Sequence, residues 1–269
     1  KASGIWYPAS RIQDPATRIQ YSYYLCGMKL HFRKYGRGKP LIILHGIFGI
    51  SDNWVSFGKK VAELGYEVFI PDQRNHGRSP HHHAFTYYAL VDDLAEFIEQ
   101  RKISMPVILG HSMGGKVAMR YTLENPELVK ALIVVDTSMR TYISHTYHRN
   151  LIDAMKSVDF SKGATRQDVE EHLETMIESR RIRQFLMKNL FWKEKDLLGW
   201  RINLDAIDLN LESMYDGVFY STVFRRPSLF VRGGKSNYII EEDIPSIRKN
   251  FSNMDLVIIV GGTHWVHAD

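Results

Sequence analysis

The sequence predicts an α/β protein with one sheet-centred core split by an inserted helical cap, and three observations carry that prediction. Short runs of branched apolar residues, such as Pro40-Leu41-Ile42-Ile43-Leu44, read as strands buried on both faces. Between them lie segments with apolar residues at helical spacing. The rhythm stops near Met139 and resumes at Pro227.

Residues 1–28 have mixed polarity without sustained periodicity and read as an extended lead-in that ends in a first hairpin strand. The core is expected over residues 29–139 and 223–269, with the cap over 140–222. After the strand at 40–44, residues 57–65 read as a helix closed by Gly65, and 67–72 as the next strand. Residues 87–100 place Leu90, Leu94, Phe97 and Ile98 at helical spacing, with acids on the other face. A strand at 106–110, a helix at 115–123 and a strand at 129–136 follow. This alternation implies parallel strands joined by right-handed crossovers, with ligand chemistry at the carboxyl ends of the strands. From about Tyr142 to Val218 no strand pattern is visible, and residues 165–190 read as helix with charged faces. A strand at 227–232, a helix around 244–251 and a strand at 256–260 complete the series. The sequence starts at Lys1 rather than Met and stops at Asp269 just after a strand and a His-containing turn, so a processed or shortened form is expected.

Composition removes several classes of function. The 269 residues are 44% hydrophobic and 24% charged, with 19 Gly and 9 Pro, which excludes a disordered, collagen-like or fibrous chain. Cys26 is the single cysteine, so no internal disulfide exists. Thirty-five Lys and Arg against 30 Asp and Glu give +5, but the basic runs Arg180-Arg181-Ile182-Arg183 and Arg225-Arg226 are short and lack interleaved aromatics. No nucleic-acid partner is expected. No run approaches the roughly 20 apolar residues a spanning helix needs, so no transmembrane segment is expected either.

The chemistry concentrates at strand ends. Gly110-His111-Ser112-Met113-Gly114 lies between a strand and a helix, the setting of a G-x-S-x-G nucleophile elbow, in which the sharp turn crowds both glycines and lifts Ser112 above the sheet. His45-Gly46-Ile47-Phe48-Gly49 follows the first buried strand. Its turn is suited to aim amides at the same point, and the Ile47 and Met113 N–H groups are the expected oxyanion donors, with Phe48 replacing Ile47 if the register differs by one. Phe48 is also expected to touch substrate, whereas His45 is expected to brace the loop. Among twelve histidines, His264 in Gly261-Gly262-Thr263-His264-Trp265 directly follows the last strand and is the expected general base, with His267 as the substitute. Asp136, at the end of a buried strand, is favoured as the acid that fixes His264, over Glu241, Asp205 and Asp208. Residues 72–79 read as structural support, and His81-His82-His83 as a solvated loop rather than a metal site. In the cap, Met176, Phe185, Met187, Leu190, Phe191 and Trp192 are candidates to line an acyl pocket, Phe191 and Trp192 above all, although a stripe at helical spacing is more often plain packing. The chemistry requires no metal and no organic cofactor.

Four blocks in this order, HGIFG, DQRNHGRS, GHSMGG and GGTHW, resemble the α/β-hydrolase superfamily. The Asp52-Asn53-Trp54 sequence after HGIFG and the HWVHAD ending resemble a branch of small esterases with bacterial and animal members. That resemblance implies a mostly parallel eight-stranded sheet and a Ser-His-Asp acyl-enzyme mechanism on carboxylic esters or thioesters, with acyl lipids or acyl thioesters as substrates. It also implies an acid at the position of Asp136, and a mitochondrial location, a cytoplasmic one being the alternative. The animal members associate with the 2-oxoglutarate dehydrogenase complex, which offers a protective binding role as the second functional class. Haloalkane dehalogenases and epoxide hydrolases share the fold but attack with aspartate, and Ser112 disfavours both.

Overall fold

The computed structural model describes residues 28–143, 146–161 and 163–266. The strands are β1 (Phe32–Tyr35), β2 (Lys39–Leu44), β3 (Tyr66–Pro71), β4 (Val107–His111), β5 (Ala131–Val135), β6 (Leu190–Glu194), β7 (Leu197–Trp200), β8 (Ser228–Gly233) and β9 (Met254–Ile259). The helices are α1 (Val55–Glu63), α2 (Tyr87–Gln100), α3 (Met113–Glu124), α4 (Thr146–Lys156), α5 (Arg166–Glu174), α6 (Arg180–Met187), α7 (Leu204–Leu209) and α8 (Ile244–Asn250).

The main sheet runs β1-β3-β2-β4-β5-β8-β9. Only β1 is antiparallel to its neighbour; every other pair is parallel. Ile42, Ile43, Leu44, Val68, Ile70 and Ile108 are essentially inaccessible, as the branched runs predict for strands covered on both faces. Each such side chain contributes about 1.5–3 kcal/mol on burial. The parallel register sets the carboxyl ends of β4 and β5 level, Gly110 beside Val134 and His111 beside Val135. Ser112 and Asp136 therefore emerge side by side from adjacent strands.

Seven strands of this sheet lie among the described residues where eight are expected. The hairpin strand and lead-in assigned to residues 1–28 fall outside them apart from Met28, which is buried and donates its amide to Glu96 Oε2 at 2.8 Å.

The cap differs from the all-helical expectation. Helices α4 to α7 are present, but β6 and β7 form an antiparallel hairpin around residues 190–200. Its tip is Lys193-Glu194-Lys195-Asp196, and Asp196 takes the left-handed conformation that a tight reversal requires (φ +61°). This polar tip interrupts the apolar alternation, so no strand period is visible in the sequence.

The cap is anchored to the core by two buried basic side chains of α3. Lys116 Nζ donates to the carbonyls of Arg140 (3.0 Å), Tyr215 (3.2 Å) and Asp216 (2.6 Å), and lies 4.3 Å from the Tyr142 ring centroid. One turn on, Arg120 Nη2 donates to the Gly217 carbonyl at 2.6 Å. Both points where the chain enters and leaves the cap are thus tied to the helix that directly follows Ser112.

Candidate active site

The elbow has a steric basis. A Cβ on Gly110 would lie 2.2 Å from the Gly114 carbonyl oxygen, and one on Gly114 would lie 2.4 Å from the Leu44 carbonyl oxygen. Neither approach is possible for another residue without moving backbone. Between them Ser112 sits at φ +52°, strained for a side chain with a Cβ. Its amide donates to the Val135 carbonyl at 3.0 Å, which fastens the turn to β5. Helix α3 begins at Met113, two residues earlier than the sequence pattern suggests, so Ser112 stands at its amino end.

His264 Nε2 lies 3.0 Å from Ser112 Oγ, and His264 Nδ1 lies 2.8 Å from Asp136 Oδ2. A carboxylate accepts only, so Nδ1 carries the proton and Nε2 is left to accept from the serine hydroxyl, a tautomer inferred from its partners. Asp136 is fully buried and also strained, at φ +49°. Its carboxylate accepts from the Gly233 amide (2.9 Å) and from Ser236 Oγ (2.5 Å). The competing acids point elsewhere: Glu241 pairs with Arg232, Asp205 with Lys156, and Asp208 with Arg149 and Lys156. His267, the substitute base, lies outside the described residues.

His264 is also held through its ring and its backbone. Tyr238 stacks on the imidazole at 3.7 Å and 16°, and His111 Nε2 donates to the His264 carbonyl at 2.8 Å. Tyr142 fixes Tyr238 in turn by donating to its carbonyl at 2.9 Å, while accepting from the Ser138 amide at 2.8 Å. Burial pushes the Tyr142 phenol up to about 12, so it stays a neutral donor.

On the loop after β2, the Phe48 amide donates to His76 Nε2 at 3.2 Å and is already engaged. Among the described residues the Ile47 and Met113 amides have no such partner, and both residues line the cleft that holds Ser112. Phe48 is buried, lines the cleft at Ser112 and His264, and adopts φ +62°. His45 and His76 brace this loop as neutral rings, because burial lowers both of their pKa values. His45 Nδ1 donates to the Gly46 carbonyl (2.8 Å) and Nε2 accepts from the Gln73 amide (2.9 Å). Behind them Arg74 makes a two-pronged pair with Asp93 at 2.6 and 2.7 Å, both ends buried. The block at 72–79 is thus support beneath the loop. His81 and His82 bond backbone groups of Arg201 and Ala84.

The cap residues need correction. Phe191 lies under the Arg201 guanidinium at 4.4 Å, and Trp192 is 60% exposed. Neither lines the clefts at Ser112, because the polar hairpin tip carries β6 out into solvent. Met176 is half exposed and Leu190 is core, while Phe185 and Met187 line a separate groove. The groups that cover Ser112 are instead Tyr142, His148, Met214, Tyr215 and Tyr238. The aromatic and histidine cluster in Tyr142-Ile143-Ser144-His145-Thr146-Tyr147-His148, a few residues beyond Asp136, is the signal that sequence reading passed over. The two clefts at Ser112 enclose only about 30 and 10 Å³, room for a very few water molecules.

A family profile described as alpha/beta hydrolase fold matches residues 39–269. The chain is 39% identical over 239 residues to the sn-1-specific diacylglycerol lipase ABHD11 of Danio rerio, a match covering 87% of this chain and 75% of that one. It is 27% identical over 230 residues to Esterase YbfF of Escherichia coli, covering 86% and 87%. Among solved structures, a marine microorganism esterase superposes with a TM-score of 0.86 at 41% identity, covering 90% of this chain and 95% of that one.

Proposed function

The chain belongs to the α/β-hydrolase fold family and is a carboxylic ester hydrolase of the esterase and lipase type, and from that premise we propose a Ser-His-Asp acyl-enzyme mechanism acting on acyl esters or thioesters. The observation that carries the reading is the unbroken hydrogen-bond run from Ser112 Oγ through His264 to Asp136.

Ser112 Oγ attacks the acyl carbonyl while its proton passes to His264 Nε2. The negative charge that develops on the carbonyl oxygen faces the amides of Ile47 and Met113. His264 then returns the proton to the leaving alcohol or thiol, and the acyl group stays on Ser112. Water attacks this acyl-enzyme with His264 again accepting the proton, and the carboxylic acid departs. Asp136 holds the Nδ1–H tautomer and stabilises the transient imidazolium. Residues 140–222 act as the lid over this chemistry, and Phe48 contributes an apolar wall. The acyl chain occupies the cleft bounded by Ile47, Tyr87, Leu211 and Met214, which is too small for it until the lid yields.

The test is labelling by a fluorophosphonate together with hydrolysis of p-nitrophenyl butyrate. Wild type is expected to do both, and Ser112→Ala to do neither while keeping its circular dichroism spectrum. Folded wild type that neither labels nor hydrolyses would overturn the mechanism.

A further inference from the structure

Beyond the serine site lies a larger concavity, of about 390 Å³, within the span of sites that hold small ligands. It runs along α6 to Trp265, and its apolar floor includes Ile182, Phe185 and Trp265. Phe185 and Trp265 meet at 4.3 Å. Its rim carries Arg166, Arg181 and Lys188, and no carboxylate lines it among the described residues. Arg166 and Lys188 are exposed, and Arg166 reaches the carbonyls of Met187 (3.2 Å) and Leu190 (3.5 Å). Three cations around one hollow suit a multiply charged anion, and the planar guanidinium fork matches phosphate oxygens.

The position of this groove relative to the serine decides which part of a substrate would enter it. Two clefts meet at Ser112. One is walled by Ile47, Met113, Lys116 and cap residues that include His148, Leu211 and Met214, and does not include His264; the other is walled by His264 and Trp265. In the proposed mechanism His264 must hand its proton to the leaving group, so the leaving group lies on the His264 side. The next wall on that side is Trp265, which the groove shares. The rim cations therefore stand beyond the leaving group, not beyond the acyl chain.

We propose that this groove seats the phosphate-bearing thiol of a soluble acyl thioester, with the phosphates at Arg166, Arg181 and Lys188 and the linker passing Trp265 towards Ser112. A flat anionic bilayer is a poorer fit, because the floor at Phe185 and Trp265 is recessed between the cations. The inference rests on the serine-hydrolase reading above for its direction along the groove.

The experiment compares kcat/KM for butyryl-coenzyme A, its phosphate-free analogue butyryl-N-acetylcysteamine, and p-nitrophenyl butyrate, in wild type and in Arg166→Gln/Lys188→Gln. Wild type is expected to favour butyryl-coenzyme A over the phosphate-free thioester by at least tenfold. The double variant is expected to bring that ratio close to one, mainly through KM, and 0.5 M salt to do the same in wild type. A ratio near one in wild type, or one that the double variant leaves unchanged, overturns the proposal. Hydrolysis of the p-nitrophenyl ester without either thioester overturns it as well while sparing the serine mechanism. If no substrate turns over, calorimetric titration of coenzyme A into Ser112→Ala decides separately, and no measurable binding at 1 mM overturns the groove. Binding of Ser112→Ala to phosphatidylglycerol vesicles that coenzyme A fails to displace overturns the soluble occupant. Should the double variant misfold, Lys188→Gln alone, on an exposed side chain, is expected to lower the ratio about threefold, and an unchanged ratio there has the same force.

Discussion

The floor and the roof of the cleft at Ser112 are held by different means. The floor is backbone bonded to backbone: the Ser112 amide on Val135, the Asp136 amide on Val231, and glycines whose neighbours leave no space for a Cβ. The roof is held mainly by side chains that cross to carbonyls, among them Lys116 and Arg120 from the core and the Asn189 amide from the cap to Phe48, with the backbone bonds from Asn203 to Asn75 and from Val218 to Met139 beside them. A floor of this kind cannot shift without breaking the sheet, whereas shifting the roof breaks side-chain contacts and a few backbone bonds and leaves the sheet whole. Closed clefts of tens of cubic ångströms are therefore compatible with a substrate, provided that the roof is the part that yields.

That contrast is open to direct attack. The largest effect is expected at the floor, where Asp136→Asn leaves the fold intact but favours the wrong imidazole tautomer. A loss of about 10³–10⁴ in kcat is expected, read in steady-state ester hydrolysis; a loss below tenfold would assign the acid elsewhere. Next comes the support under the loop after β2. Arg74→Ala strands a buried Asp93 carboxylate and is expected to cost about 3–5 kcal/mol of stability, measured by urea denaturation, whereas a cost under 1 kcal/mol would show that water reaches the pair.

The roof gives a smaller effect with a pH signature. Burial first, and Arg120 next, lower the Lys116 ammonium to about 7 from 10.5. Between those two values the unfolded chain holds a proton that the folded chain has released, so stability rises with pH across that window, and the penalty is complete below about 7. The urea midpoint of wild type is expected to climb from pH 7 to pH 9, and Lys116→Met to flatten the climb. An equally steep climb in the variant would place the titrating group elsewhere. The smallest effect belongs to the hairpin, where Trp192→Ala is expected to change ester hydrolysis less than twofold. A tenfold change in kcat/KM would return Trp192 to the substrate path.

The same division governs what was legible in the sequence. Ser112, Asp136 and His264 sit where strands end, and elementary sterics forces glycines around the first of them, so local patterns point to all three. The strand and helix order of the core is legible for the same reason, since both-face burial writes unbroken apolar runs. The roof obeys no comparable local rule. Lys116 reads as one more helical lysine, although it is buried, and only the folded chain brings it to carbonyls up to 100 positions away. Tyr142 and Tyr238 are 96 residues apart yet share a hydrogen bond, and Phe191 and Trp192 read as pocket residues because a polar hairpin tip erases the strand period.

The bond from Asn189 Nδ2 to the Phe48 carbonyl, 2.8 Å across 141 residues of chain, works as a tie rod between roof and floor. It grips the peptide unit two along from the one that carries the Ile47 amide, so a displaced roof pulls on the loop expected to hold the reacting oxygen. Under the proposed mechanism, lid position and catalytic readiness would then be one mechanical coordinate, the wide-open molecule being the one least able to use the water it admits.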